Sequence, residues 1–216
     1  NHWYQSHGMG AIFTGEVKDA ELFCEVYENL DPGCCILAVE KLSQRIVGSC
    51  FFHPRETHIS LGIMNVHPDA MGQKVASRLL AHVTNIAEEE QKPVRLVSSA
   101  LNLDSFSLYT RAGFTPRTAY QDMTLSVPEA GIDHAPAGLS RVRKATLADV
   151  SKMGALELEL NQISREQDFQ YFIEHKSGIW HVSVYENEAG ELAGFLVSVQ
   201  HAASNMLGPG IARTDQ

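Results

Sequence analysis

Residues 66–80 read VHPDAMGQKVASRLL. A β-branched run ends at Val66, Pro68-Asp69 turns the chain, and a lone glycine sits in the join. Apolar residues then fall at 71, 75, 79, 80, 83 and 86, a helical stripe that runs to the charged end EEEQK. The pattern predicts a strand that stops, a short turn, and a helix that begins facing the stop. Such a join holds an anion on main-chain N–H groups, because the first turn of a helix leaves its donors without partners.

Upstream, KDAELFCEVYENL (18–30) carries apolar residues at 20, 22, 23, 26, 27 and 30 and predicts a helix closed by Asp31-Pro32-Gly33. CILAVE (35–40), RIVGSCFF (45–52) and HISLGIMNV (58–66) are rich in β-branched and apolar residues with short polar breaks between them, which predicts an antiparallel meander. Downstream, Pro93 ends the helical stripe and VRLVSS (94–99) reads as a buried strand. Asp104 is placed to cap a short helix DSFSLYTRA that leaves through Gly113. FTPRTAYQDMTLSV then reads as one or two returning strands.

Residues 128–140 hold prolines and glycines without periodicity and read as a linker. A new start follows. SRVRKA is a strand, Thr146 to Asp149 is a capping-box pattern before a helix, REQDFQYFIEH is a second helix, and IWHVSVYE, ELAGFLVSVQ and NMLGPGIAR are strands. The chain repeats itself: RIVGSCFF matches ELAGFLVS with Gly48 on Gly194, an offset of 194 − 48 = 146, and the same offset carries Gly62 onto Gly208. This divides the chain into 1–127, a linker at 128–140, and 141–216. By the same offset Pro68 falls on Thr214, so the second copy stops where its turn should begin. The strand SRVRKA maps to a point before Asn1, so the first copy lacks its opening strand. The sequence opens on Asn rather than Met, and both ends read as cut.

Hydrophobic residues at 44% and charged residues at 20% are ordinary globular values, so a sizeable core is available. A net charge of −9 argues against nucleic acid or an anionic membrane as the main partner. Apolar runs are too short for a membrane helix, and no charged-then-apolar leader opens the sequence. Cys24, Cys34, Cys35 and Cys50 form no CxxC pair; neighbouring Cys34 and Cys35 point to opposite faces of a strand, and the four read as reduced thiols of a cytoplasmic protein. HPRETH (53–58) lacks the H-E-x-x-H spacing and a third convergent ligand, so no metal is expected.

The order strand-strand-strand, V-x-P, turn, helix, strand, Asn-bearing corner, short helix with Tyr, then Gly-Phe resembles the GNAT superfamily of acyl-CoA-dependent N-acyltransferases. VHPDAMGQKVASRLL resembles that family's pyrophosphate loop, written [RQ]-x-x-G-x-[GA]. LNLDSFSLYTRAGF (101–114) resembles its second motif, and VRKATLADV (142–150) resembles the way such domains begin. The likeness covers residues 18–126 well and 141–213 in part. It implies an α/β (α+β) fold with a mixed, mostly antiparallel central sheet flanked by helices, followed by a partial second copy. It also implies acetyl-CoA as co-substrate. By position, Met71 stands where the family has Arg or Gln and Lys74 where it has Gly.

The resemblance places cofactor contacts at Asn65, Val66, Met71, Gly72, Gln73, Lys74, Val75, Ala76, Asn102, Ser105 and Tyr109. Val66 offers a main-chain N–H to the acyl carbonyl, and Tyr109 is the acid for the departing thiolate. Lys74 adds a Cβ close to the phosphate and a charge that compensates; Asn102 and Ser105 either bond the pantetheine amides or cap the corner. The family's glutamate base falls here near Ser60, which cannot serve, so His58 on the same strand or a relayed water takes the proton. The expected reaction is acetyl transfer to a primary amine, of a small molecule or a peptide, by direct attack. A non-catalytic acyl-CoA-binding or interaction module is the alternative, and a second copy of the chain is a candidate partner through the exposed sheet edge.

Overall fold

The runs rich in β-branched residues build two four-stranded sheets, and the computed structural model describes residues 1–11 and 15–214 of the chain. In the first sheet β1 (Cys35–Val39), β2 (Ile46–Pro54) and β3 (Ile59–Val66) form the expected antiparallel meander. A short β4 (Val94–Arg95) lies parallel to β3, touching it only at Ile59 and Ser60. The second sheet orders β5 (Val142–Lys144), β6 (Trp180–Glu186), β7 (Leu192–His201) and β8 (Ser204–Ala212), all antiparallel. A mixed, mostly antiparallel architecture flanked by helices is therefore what the chain adopts.

Helix α1 (His2–Ser6) is tied to a distant part of the chain by a hydrogen bond from Trp3 Nε1 to Asp104 Oδ2 at 2.7 Å. Helices α2 (Glu21–Leu30) and α3 (Val75–Glu89) belong to the first sheet, with α4 (Leu103–Arg111) following β4. The apolar stripe of α3 packs Leu79, Leu80, Val83 and Ala87 onto Cys50, Ile59 and Leu61 of β2 and β3. Helices α5 (Val150–Asn161) and α6 (Glu166–Glu174) cover one face of the second sheet, where Met153, Leu156 and Phe169 meet Val182, Val184, Phe195 and Val197. The capping box is present: Asp149 takes the Thr146 amide at 2.8 Å and its hydroxyl at 3.0 Å.

The two sheets share one register. Gly48 pairs with Val66 and Cys50 with Met64; 146 residues on, Gly194 pairs with Ala212 and Leu196 with Gly210. Both ladders then slip at the same place, so that Phe52 meets Leu61 and Ser198 meets Leu207. Two residues, Gly62 and Ile63, oppose Phe51 alone, which is a β-bulge on β3. The second sheet keeps the bulge at Gly208 and Pro209, but its face away from α5 and α6 is bare: Leu196 is 41% exposed and Leu207 74%.

Three local expectations are corrected. Only two residues of VRLVSS join a ladder, and Val97 is 84% exposed rather than buried. The stretch 115–127 forms no strand: alternation makes a strand only when one face is covered, and here Tyr120, Met123 and Leu125 stand 72–86% exposed. The cap of α4 is Asn102 rather than Asp104; its Oδ1 accepts the Ser105 amide at 3.1 Å, while Asp104 sits in the first helical turn.

The halves meet through buried charge. Arg55 donates to Asp31 Oδ1 and Oδ2 at 2.8 and 3.0 Å and also pairs with Asp168 at the start of α6. Gln167 donates to Asp31 Oδ1 at 2.9 Å, and the Ser164 amide and hydroxyl reach Thr57 and Glu56 at 3.0 Å each. The last two residues of the 141–216 span lie outside the described residues.

Candidate functional site

Because β4 leaves β3 after Ser60, the C-terminal half of β3 has a partner on one side only. The His67 amide bonds back to Val47 O on β2 at 2.9 Å. Main-chain groups alternate sides along an antiparallel strand, so the Val66 amide one residue earlier points away from β2, into the opening between β3 and β4. Asn65 pairs with Ser49 beside it and is exposed.

From Val66 the chain enters a short 3-10 turn (Pro68–Ala70), capped where His67 Nδ1 accepts the Asp69 amide at 3.2 Å. Met71 is 45% exposed, and Gly72 turns with φ +77° with open space in front of its Cα. Gln73 folds back to the Asp69 carbonyl at 3.0 Å, which braces the turn from behind. Lys74, the residue before α3, has φ 61° and ψ 19°, the left-handed region that favours glycine. The first main-chain bond of the helix runs from the Arg78 amide to Lys74 O at 3.1 Å. The amides of Val75, Ala76 and Ser77 therefore have no acceptor within α3, the donor arrangement that an anion cradle uses. Gly48 brings this turn close to the sheet: a Cβ there would stand 2.9 Å from Val75 Cγ1.

Tyr109 approaches the same end of the sheet from α4. It is half-buried against the Cys50 cluster, and Phe114 meets its ring edge-on at 5.8 Å. Cys50, near enough to act on the phenol's pKa, pairs with Met64, two residues short of Val66. Burial, and then the neighbouring Cys50, raise its pKa above the ordinary phenol value, so the hydroxyl stays protonated at neutral pH. Cys50 itself is fully buried and pushed up to about 11 by burial and then by Cys35, an inert thiol. Ser105 stands one turn before Tyr109 on α4, beside the Asn102 cap.

Asn102, Ser105 and Tyr109 border one open cleft with Gly62, Ile63 and Met64 of β3, and Val66 and the turn 71–76 follow at the C-terminal end of that strand. His58 is elsewhere. It precedes β3 at the far end, on the order of 25 Å from Val66 at about 3.3 Å per residue. It is 5% exposed, bonded to Thr57 Oγ1 at 3.0 Å, and lies beside the contact with the second half. Burial, and then Arg95, Arg55, Arg165 and Lys92, push its pKa down to about 4. A neutral, enclosed imidazole at that end of the strand does not reach a group at Val66. Sequence reasoning also passed over Asp31, His53 and Arg55, which close on one another across 22 and 24 residues. Their only sequence signal is that the 146-residue offset sets His53 against an apolar residue, Val199.

Among the described residues, no cluster of three or more His, Cys, Asp or Glu is placed to hold a metal ion, and no helix is long and apolar enough to cross a membrane. The sequence profile of the Acetyltransferase (GNAT) family matches residues 3–114, just over half of the chain. The chain belongs to the GNAT acetyltransferase family. Its fold is shared with an acetyltransferase of Pyrococcus horikoshii, at a TM-score of 0.65 and 14% identity over 94% of this chain and 63% of that one. This chain therefore spans less than two thirds of that protein's length. Shorter matches include an acetyltransferase of Trypanosoma brucei (18% identity, 51% of this chain, 95% of that one, TM-score 0.37). A ribosomal-protein-alanine N-acetyltransferase of Brucella melitensis biovar Abortus matches similarly (13% identity, 50% of this chain, 92% of that one, TM-score 0.37). No curated protein matches the sequence.

Proposed function

We propose that the chain transfers an acetyl group from acetyl-CoA to a primary amine by direct attack, at the opening between β3 and β4 of its first half. The observation that carries this reading is the open side of β3 beyond Ser60, with three features on the elements that border it. They are the outward Val66 amide, the first-turn amides of α3, and a protonated, half-buried Tyr109.

The cradle fits a diphosphate. Gly72 leaves open space before its backbone, the Val75, Ala76 and Ser77 amides face outward, and Lys74 brings a positive charge to the same turn. Met71 takes nothing from this set of donors, since its backbone is unaffected by an apolar side chain. Asn102 and Ser105 border the cleft beside β3 together with Tyr109, where amide groups of a pantetheine arm would run.

The amine attacks the thioester carbonyl carbon, and charge develops on the carbonyl oxygen. A fixed main-chain donor such as the Val66 amide stabilises that charge more than the ground-state carbonyl. As the C–S bond breaks, the thiolate takes the phenolic proton of Tyr109. The amine proton leaves through water, and the distance of His58 from Val66 gives it no direct part.

The repeated register, with its repeated bulge, supports a tandem of two related units at 1–127 and 141–216 joined by 128–140. The first would hold the transferase centre. A small-molecule or peptide amine is the acceptor class, and a reducing, cytoplasmic setting suits four free thiols. The test is release of free CoA thiol from acetyl-CoA in the presence of an alkylamine, an arylamine and a lysine-containing peptide. Amine-dependent release lost in Tyr109→Phe supports the reading. Binding of acetyl-CoA without release for any amine favours a non-catalytic acyl-CoA-binding module.

A further inference from the structure

His53 is a buried histidine that packing alone does not require. It lies on β2, on the face turned towards α2, and is 7% exposed. At the matching position of the second sheet stands Val199, 6% exposed and in the same register: His53 faces Ser60 as Val199 faces Met206. A valine fills that position; a histidine there needs polar support.

That support is present. His53 Nδ1 lies 2.6 Å from Asp31 Oδ2, and the Tyr27 ring meets the imidazole edge-on at 4.6 Å. Burial pushes the Asp31 carboxyl up, but hydrogen bonds from His53 and Arg55 outweigh it and hold the group below the ordinary aspartate value. An ionised Asp31 accepts, so Nδ1 of the ring is the donor, which in the neutral ring leaves the lone pair on Nε2. Nε2 is buried and has no hydrogen-bond partner among the described residues. It faces Gly62 on the β3 bulge, where an added Cβ would stand 2.9 Å from it. The charged groups around the ring are Asp31 after α2, Arg55 just after β2, and Asp168 on α6 behind Arg55.

We propose that His53, oriented by Asp31, accepts the proton of the attacking amine through a short water relay over Gly62. Gly62 precedes Val66 by four residues, on the order of 13 Å along β3, a span that an amine and one or two waters fill. This role rests on the acetyl-transfer reading above. In the balanced step the amine nitrogen forms the C–N bond and its proton passes by water to Nε2. The C–S bond breaks, and the thiolate takes the Tyr109 proton. The proton on His53 then returns through solvent to the Tyr109 phenolate. Arg55, Gln167 and Asp168 hold Asp31 in place, which makes the second half a support for the first half's proton acceptor.

The test compares the unaltered chain with His53→Val, Gly62→Ala and the double variant. It measures amine-dependent CoA release, acetyl-CoA binding by calorimetry, and thermal unfolding. His53→Val, which installs the residue of the matching position, is expected to lower kcat about 100- to 1,000-fold with acetyl-CoA affinity unchanged. Gly62→Ala, which pushes the ring off its place, is expected to lower kcat on its own and to add nothing in the His53→Val background. Turnover kept within about twofold in either single variant overturns the proposal and leaves the transferase reading standing. If His53→Val does not fold, Gly62→Ala decides by the same criterion. Absence of turnover in the unaltered chain, with acetyl-CoA bound, overturns the transferase reading and this role with it.

Discussion

Gly48 faces Val66 across β2 and β3, and the first turn of α3 rests on the hydrogen that serves Gly48 for a side chain. The distance between the β3 terminus and the α3 amides is thus set by the absence of one methyl group. Gly194 faces Ala212 in the same register, but there a Cβ would lie 3.2 Å from another Cβ, with no helix above it.

Gly48→Ala is expected to cost about 1–3 kcal/mol, the usual range for forcing extra volume into a packed contact, and to weaken acetyl-CoA binding several-fold. Gly194→Ala should cost less than about 1 kcal/mol and leave binding unchanged. Urea unfolding and calorimetric titration check both, and equal effects at the two glycines would contradict the account.

Lys74→Gly relieves a left-handed backbone at the helix start. The expected gain is about 1 kcal/mol, seen as a higher urea midpoint with unchanged slope. The same change removes a cation from the cradle, so acetyl-CoA affinity should fall at low salt and converge with the parent at high salt.

Tyr109→Phe removes only the phenolic hydroxyl. The ring contact with Phe114 remains, so unfolding should be unchanged within about 0.5 kcal/mol, as for a substitution that keeps its packing. Amine-dependent CoA release should fall about 100- to 10,000-fold, the span typical of a lost general acid. A variant that transfers acetyl groups at the parental rate would remove Tyr109 from the reaction.

His58 makes stability depend on pH. Its folded pKa is pushed down to about 4, by burial first and then by nearby cations, whereas an unfolded histidine titrates near ~6.5. Below ~6.5 the unfolded chain binds a proton that the folded chain refuses, so stability present above that pH is lost as pH falls towards 4. The full loss is on the order of 3 kcal/mol. His58→Asn should flatten urea midpoints measured between pH 7 and pH 4.5.

Where a signal is local, the sequence carries it. The β1 to β3 meander, the stripe of α3 and the Thr146 capping box each rest on residues a few positions apart, and each is found. Only the family resemblance suggested where Val66 and Tyr109 belong, and the splay of β4 explains why the Val66 amide is open. The left-handed Lys74 was hidden, because that conformation belongs to the backbone and a lysine gives no sign of it. The exposed stretch 115–127 misled through its alternation, since periodicity does not say whether a neighbour exists. Asp31 and Asp168 stand 137 positions apart and meet through Arg55, a closure that no spacing rule reports.

The most direct test of acyl-CoA use at the first half is calorimetric titration of the 216-residue chain with acetyl-CoA, alongside Gly72→Val and Lys74→Glu. The account predicts saturable binding at one site per chain, weakened at least tenfold by either substitution. No binding by the unaltered chain, or binding that neither substitution touches, would contradict it.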